Sequence, residues 1–202
     1  MNGALRAELA KHAEQICKVG KRIYDRGLVS AFGGNISTRV GDAVLITATG
    51  SILGELTMQD IVEVSMDGEI MSKGKKPSSE LLMHLEVYRT RKDARAVVHT
   101  HSPVAVSYAV VGKEIEPLTP EAKMALGSVP LIKYYPSGSQ ELANATAQSL
   151  EKYKDRNSFL LGKHGVLAVG EDLVEAFHRA ELVEELAKVN FYVETLNHGL
   201  GR

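Results

Sequence analysis

The short apolar run Ala96-Val97-Val98 leads directly into His99-Thr100-His101, and no other feature constrains the fold as tightly. Along an extended strand successive side chains point to opposite faces, so residues two apart share a face. The two imidazoles therefore project together from the end of a strand. Such a pair can grip one borderline-soft metal ion from a rigid backbone, and zinc is the commonest such ion for nitrogen donors. Any sheet this chain forms has to carry the pair to a place where further ligands can meet it. His164 and Glu80 are the candidates to complete that site or to act against it.

A chain of 202 residues can bury about 70% of its unfolded surface, enough for one sizeable core. A single domain spanning residues 1–202 is expected. The 24 Lys and Arg balance 25 Asp and Glu, which predicts neither a nucleic-acid footprint nor an acidic tail. No apolar stretch approaches the roughly 20 residues needed to span a bilayer, so no membrane partner is expected. Glu8 and Glu14 and the lack of an apolar core near the N-terminus argue against a signal peptide. The lone Cys17 cannot form an intrachain disulfide. It reads as a structural cysteine of a reduced, cytoplasmic protein.

Apolar spacing predicts a helix over residues 5–26, closed by Gly27. Phe32-Gly33-Gly34-Asn35-Ile36-Ser37 reads as a tight turn or a close backbone approach to something bound. Residues 43–47 and 61–64 read as strands, with Thr57 capping a brief turn ahead of Asp60. Residues 72–76, rich in glycine and lysine, read as a loop. Pro77-Ser78-Ser79-Glu80 opens a helix bearing Leu81, Leu85 and Tyr88. A short helix over 104–111 follows the histidine strand, and Pro117 and Pro120 interrupt the stretch before residues 129–133. A helix over 139–153, strands at 158–161 and 166–169, and a long helix over about 173–196 complete the pattern. The class is α/β, with helices outside a sheet.

A third imidazole for the pair can come from His84 or from His164. Glu80 and His84 lie four apart, on one face of their helix, but His164 sits between Gly162-Lys163 and Gly165, a tight loop between strands, and is the better choice. Three imidazoles leave a coordination position open, the pattern of catalytic zinc. A second cluster suits an anion: Gly34-Asn35, Thr49-Gly50 and Ser78-Ser79 place small polar groups at turns or at a helix start. Ser78-Ser79 reads equally as ordinary capping. Lys73, Lys75 and Lys76 read as a solvated charge run, and no nucleotide P-loop pattern is present. Glu80 follows the serines, between the anion cluster and the metal site. It is a candidate general base, with favourable interaction with the helix dipole as the alternative.

Five motifs then stand in one order: Gly33-Gly34-Asn35-Ile36-Ser37, Thr47-Ala48-Thr49-Gly50, Lys76-Pro77-Ser78-Ser79-Glu80, His99-Thr100-His101-Ser102-Pro103 and Lys163-His164-Gly165-Val166. The ordered set resembles the class II aldolase/adducin family, over about residues 10–196. The resemblance implies a single three-layer α/β/α domain around a mainly antiparallel sheet, assembled as a homo-oligomer, usually a tetramer. It implies one zinc ion per subunit on His99, His101 and His164, with Glu80 as catalytic residue and as a further ligand in the substrate-free state. The phosphate of a sugar substrate is then expected at Gly34, Asn35, Thr49, Gly50, Ser78 and Ser79.

The implied activity is reversible cleavage of L-fuculose 1-phosphate, or a related deoxyketose 1-phosphate, to dihydroxyacetone phosphate and lactaldehyde. The glutamate at position 80 favours the aldolase branch, since related pentulose-phosphate 4-epimerases carry aspartate there. Other branches act as 5-deoxyribulose 1-phosphate aldolase, as methylthioribulose-1-phosphate dehydratase, or as non-catalytic scaffolds of the adducin type. Two departures stand out. Leu118-Thr119-Pro120-Glu121 occupies the region where bacterial aldolases of the family carry a catalytic tyrosine, and the chain closes at Arg202 without their longer aromatic tail. Glu121 is therefore expected as an auxiliary group near the aldehyde.

Overall fold

The computed structural model describes residues 3–200; the expected domain limits at Met1 and Arg202 lie outside the described residues. The strands are β1 (Asn35–Val40), β2 (Ala43–Thr47), β3 (Ile61–Ser65), β4 (Ala96–Thr100), β5 (Leu131–Ile132), β6 (Ser158–Leu161) and β7 (Gly165–Gly170). The helices are α1 (Gly3–Asp25), α2 (Leu81–Thr90), α3 (Pro103–Val111), α4 (Pro120–Ala125), α5 (Gln140–Lys152) and α6 (Leu173–Gly199). The strands form one sheet in the order β3-β2-β1-β4-β7-β6-β5, antiparallel throughout except where β5 meets β6.

The sheet separates two apolar layers. On one face Ala96 and Val98 of β4 pack with Ile16, Val19 and Ile23 of α1 and with Ala176, Phe177 and Ala180 of α6. On the other, Val97 joins Met83, Leu85, Val87 and Tyr88 of α2 and Leu142 and Leu150 of α5. A third cluster seats α3, α4 and the middle of α6 over β6. β4 is central and wholly buried. Its alternation sends His99 to the α2 side, because it shares a face with Val97. Among the described residues no helix is long and apolar enough to cross a membrane.

Two elements depart from the sequence reading. The turn expected over residues 32–37 extends only to Gly34; from Asn35 onward the chain is β1, paired with both β2 and β4. The α2-facing positions of this strand, Asn35 and Ser37, are polar and buried, so the apolar alternation that marks a strand is missing from its sequence. The second element is α4, where the prolines suggest interruption. Pro120 instead occupies the first helical turn, where its missing N–H is no loss, and Thr119 Oγ1 accepts from the Ala122 amide at 3.2 Å.

Candidate active site

Three imidazoles meet where β4 ends. His99 is the fourth residue of β4, while His101 lies one residue beyond the strand, and the two rings still face each other with centroids 4.8 Å apart. His164 arrives from the turn between β6 and β7, its ring centroid 4.7 Å from that of His99 and 5.2 Å from that of His101. One ring nitrogen from each lies within 4.8 Å of the others. The turn is tightened by Lys163, whose φ of 55° lies in the left-handed region. Glycine is required on both sides of the cluster. A Cβ on Gly165 would stand 2.8 Å from His99 Cε1 and 3.0 Å from His101 Cδ2, and one on Gly34 (φ 76°) would stand 2.7 Å from the His99 carbonyl oxygen.

The cluster fits a metal ion on the chemistry of its donors. His99 Nδ1 lies 2.8 Å from the Val166 carbonyl oxygen, which accepts only from a proton-bearing nitrogen, so Nε2 is the atom left to face the cluster. His99 Nε2 lies 3.0 Å from His101 Nε2 and 3.1 Å from Glu80 Oε2, and His164 Nε2 lies 3.5 Å from Glu80 Oε1. Burial, followed by the neighbouring imidazoles, pushes His101 and His164 down to about 4. Both are neutral at physiological pH, the form that ligates a metal. Burial also acts to lower His99, but the Glu80 carboxylate outweighs it and raises His99 above its ordinary value.

Glu80 stands at the N-cap position of α2, yet its side chain makes no bond to the helix amides. The carboxylate turns inward instead and is 3% exposed. Asn35 Nδ2 donates to Oε2 at 2.9 Å and Ser137 Oγ donates to Oε1 at 3.0 Å. Burial alone would raise its pKa; the His99 charge and hydrogen bond, then His164 and Asn35, overcome that and hold it well below the usual carboxylate range. His84, the other candidate for a third imidazole, is not in the cluster. It is fully buried one helical turn below Glu80, between Asn35 and Ser37. Burial pushes it down to about 3, so it is neutral.

A cleft of about 330 Å³ opens beside the imidazoles, lined among others by Gly34, Asn35, Thr49, Gly50, Ser78, Ser79, Glu80, His101 and His164. All six residues expected at a phosphate therefore border one space, but they offer different donors. The Thr49 amide is taken by the Lys76 carbonyl oxygen, so that residue brings its hydroxyl. The Asn35 side-chain amide is engaged with both Glu80 and His84, which leaves one N–H. Glu121 is not among the lining side chains. It is exposed in the first turn of α4, which packs against α6. Lys163 reaches toward Tyr134, its Nζ 5.8 Å from the ring centroid, and Lys75 pairs with Asp60.

Residues 14–191 match the family described as Class II Aldolase and Adducin N-terminal domain. The chain belongs to that family. L-fuculose phosphate aldolase of Methanocaldococcus jannaschii is 42% identical over 176 residues, 87% of this chain and 93% of that protein. 3-Oxo-tetronate 4-phosphate decarboxylase of Escherichia coli strain K12 is 38% identical over 184 residues, 88% of this chain and 85% of that one. The crystal structure of L-fuculose-1-phosphate aldolase from Thermus thermophilus superposes with a TM-score of 0.84 at 32% identity, covering 94% of this chain and 97% of the other. This class II aldolase-family member is an enzyme, a lyase.

Sequence reasoning missed Ser137. It lies in the turn Pro136-Ser137-Gly138 ahead of α5, 57 positions from Glu80, and nothing in a turn serine marks it as a carboxylate partner. Ser37 and Tyr88 escape notice for another reason. Asn35 and Ser37 are two apart on β1, and Glu80, His84 and Tyr88 are four apart at the start and along α2. Polar groups at matching strand and helix periods were therefore present to be paired.

Proposed function

We propose that the chain catalyses reversible aldol cleavage of L-fuculose 1-phosphate, or of a related deoxyketose 1-phosphate, to dihydroxyacetone phosphate and lactaldehyde. One observation carries the reading: three imidazoles and a buried, ionised carboxylate converge at one end of a cleft whose other end is rich in hydroxyl and amide groups. The archaeal relative named L-fuculose phosphate aldolase supports the choice of substrate. Three nitrogen donors with room for a fourth ligand suit zinc, one ion per subunit. When bound, such an ion supplies a Lewis acid for the ketose oxygens.

The chain's own residues do the rest. Hydroxyls of Thr49, Ser78 and Ser79, with the backbone at Gly34 and Gly50 and the remaining N–H of Asn35, hold the phosphate and so align the sugar. Cleavage breaks C3–C4: the C4 hydroxyl gives its proton to the ionised Glu80 carboxylate, its oxygen becomes the aldehyde, and the electron pair stays with the dihydroxyacetone half. Glu80 then delivers that proton to C3 of the dihydroxyacetone half, and takes one from the same carbon in the synthetic direction. Glu80, beside His99 and His164, would serve as a further ligand to such an ion before substrate binds.

Exposed Val111, Met124, Phe191, Tyr192 and Leu196 support a homo-oligomer, a tetramer by family likeness. Cys17, with no disulfide, fits the reducing cytoplasm. A product-resolved screen of ketose 1-phosphates with zinc restored tests the activity. Release of dihydroxyacetone phosphate and an aldehyde is the expected result; an intact carbon skeleton, with loss of water for a dehydratase or without it for an epimerase, loses the case. The decarboxylase relative at 38% identity favours one second reading, loss of CO₂ from a 3-oxo-tetronate 4-phosphate, which is tested by offering that compound separately and measuring CO₂ release.

A further inference from the structure

The polar groups beneath Glu80 form a continuous string across the β1–α2 interface. Tyr88 Oη lies 2.7 Å from Ser37 Oγ, Ser37 Oγ lies 2.7 Å from His84 Nδ1, His84 Nε2 lies 2.5 Å from Asn35 Oδ1, and Asn35 Nδ2 lies 2.9 Å from Glu80 Oε2. Tyr88, Ser37 and His84 are completely buried, and nothing in the aldol chemistry above uses them.

The direction of the string is determined by its last member. An ionised carboxylate only accepts, so Asn35 must donate to Glu80 through Nδ2 and present Oδ1 to His84. Because Oδ1 only accepts, His84 carries its proton on Nε2. A neutral imidazole has one N–H, so Nδ1 accepts from Ser37, and the Ser37 oxygen then accepts from Tyr88. Every hydrogen in the string points toward the carboxylate.

We infer that His84, fixed by Ser37 and Tyr88, is a positioning residue for the reaction, which locks the Asn35 amide so that its N–H holds the Glu80 carboxylate against the imidazole cluster. The inference rests on Glu80 acting as proposed. Without the His84 N–H the Asn35 amide is free to turn over and set Oδ1 against Glu80. Two acceptors then repel, and the carboxylate leaves its working orientation. Groups that orient a metal site from behind typically matter by 10- to 100-fold.

The test compares His84→Leu, His84→Gln, Ser37→Ala and Glu80→Gln, each with zinc restored and brought to equal metal content. His84→Leu is expected to lower kcat about 10- to 100-fold while KM for the phosphorylated ketose stays near wild type. His84→Gln offers both a donor and an acceptor and is expected to recover most of kcat. Ser37→Ala, which creates little empty space, should lower kcat in the same direction and keeps the inference testable if His84→Leu does not fold. Wild-type kcat in Ser37→Ala and His84→Leu, or a His84→Gln no better than His84→Leu, overturns the inference while inactive Glu80→Gln leaves the functional reading standing. Full activity in Glu80→Gln overturns that reading and the inference with it.

Discussion

The two ends of the cleft are built by opposite means. At the imidazole end most side chains come from β1, β4 and the start of α2, are largely buried, and have their hydrogen bonds made before any ligand arrives. At the other end, the one proposed for the phosphate, the groups sit on turns around Thr49-Gly50 and Ser78-Ser79, and donors such as the Ser79 hydroxyl remain available. The contrast follows from what each end is proposed to hold. Buried imidazoles and a buried carboxylate are tolerated only when every partner is in place. A phosphate brings its own acceptors and needs only donors that water can occupy meanwhile. Disturbing the first end is therefore expected to damage chemistry, and disturbing the second to damage binding.

The strongest test of that division is metal removal. Exhaustive chelation is expected to reduce product formation to background and zinc to restore it, while a His164→Ala variant should lose stoichiometric metal by elemental analysis. Full activity after chelation breaks the comparison at its first end. Next in size, Glu80→Gln should lower aldol cleavage and proton exchange by about 10²- to 10⁴-fold, with phosphate binding kept. Ser79→Ala removes a donor to a charged group, worth about 1.5–3 kcal/mol, and should weaken a phosphorylated substrate roughly 10- to 100-fold relative to its unphosphorylated analogue. Equal weakening of both would remove Ser79 from the phosphate site.

A smaller effect reads the buried end through pH. Burial holds the His84 pKa at about 3 in the folded chain, against an ordinary value of 6.5; Glu80 acts to raise it and His99 to lower it further. The unfolded chain thus binds the proton first as pH falls, so this contribution is present above 6.5 and is lost progressively toward 3. For the metal-free protein the loss comes to about 2 kcal/mol at pH 5. His101 and His164 act in the same sense, so the comparison is with His84→Gln, whose urea-unfolding free energy should fall less steeply between pH 7 and pH 5. Parallel slopes would remove His84 as the cause.

Legibility in the sequence divides along the same line. His99 and His101 can be paired from the period of a strand, and His164 from glycines that mark a turn, because each rule is local. The strand β1 cannot be read that way, since Asn35 and Ser37 spend its inner face on hydrogen bonds instead of apolar contacts. Ser137 is beyond reach because only the tertiary fold carries its turn to Glu80. Glu121 is expected near the reacting centre on the strength of a missing tyrosine, yet α4 packs its apolar face against α6 and holds this side chain exposed and off the cleft.

The backbone of Lys163 carries one more consequence. An L-residue in the left-handed region costs roughly 1–2 kcal/mol, and glycine would remove that strain while giving the unfolded chain about 0.5–1 kcal/mol of extra freedom. In Lys163→Gly the two changes oppose each other and leave about 0 to 1.5 kcal/mol in favour of the variant, so the melting temperature should not fall. The turn that carries His164 would nevertheless be free to sample other shapes, and zinc affinity should fall. At this position thermal stability is a blind instrument: a variant can pass every melting screen and still have lost the grip that matters.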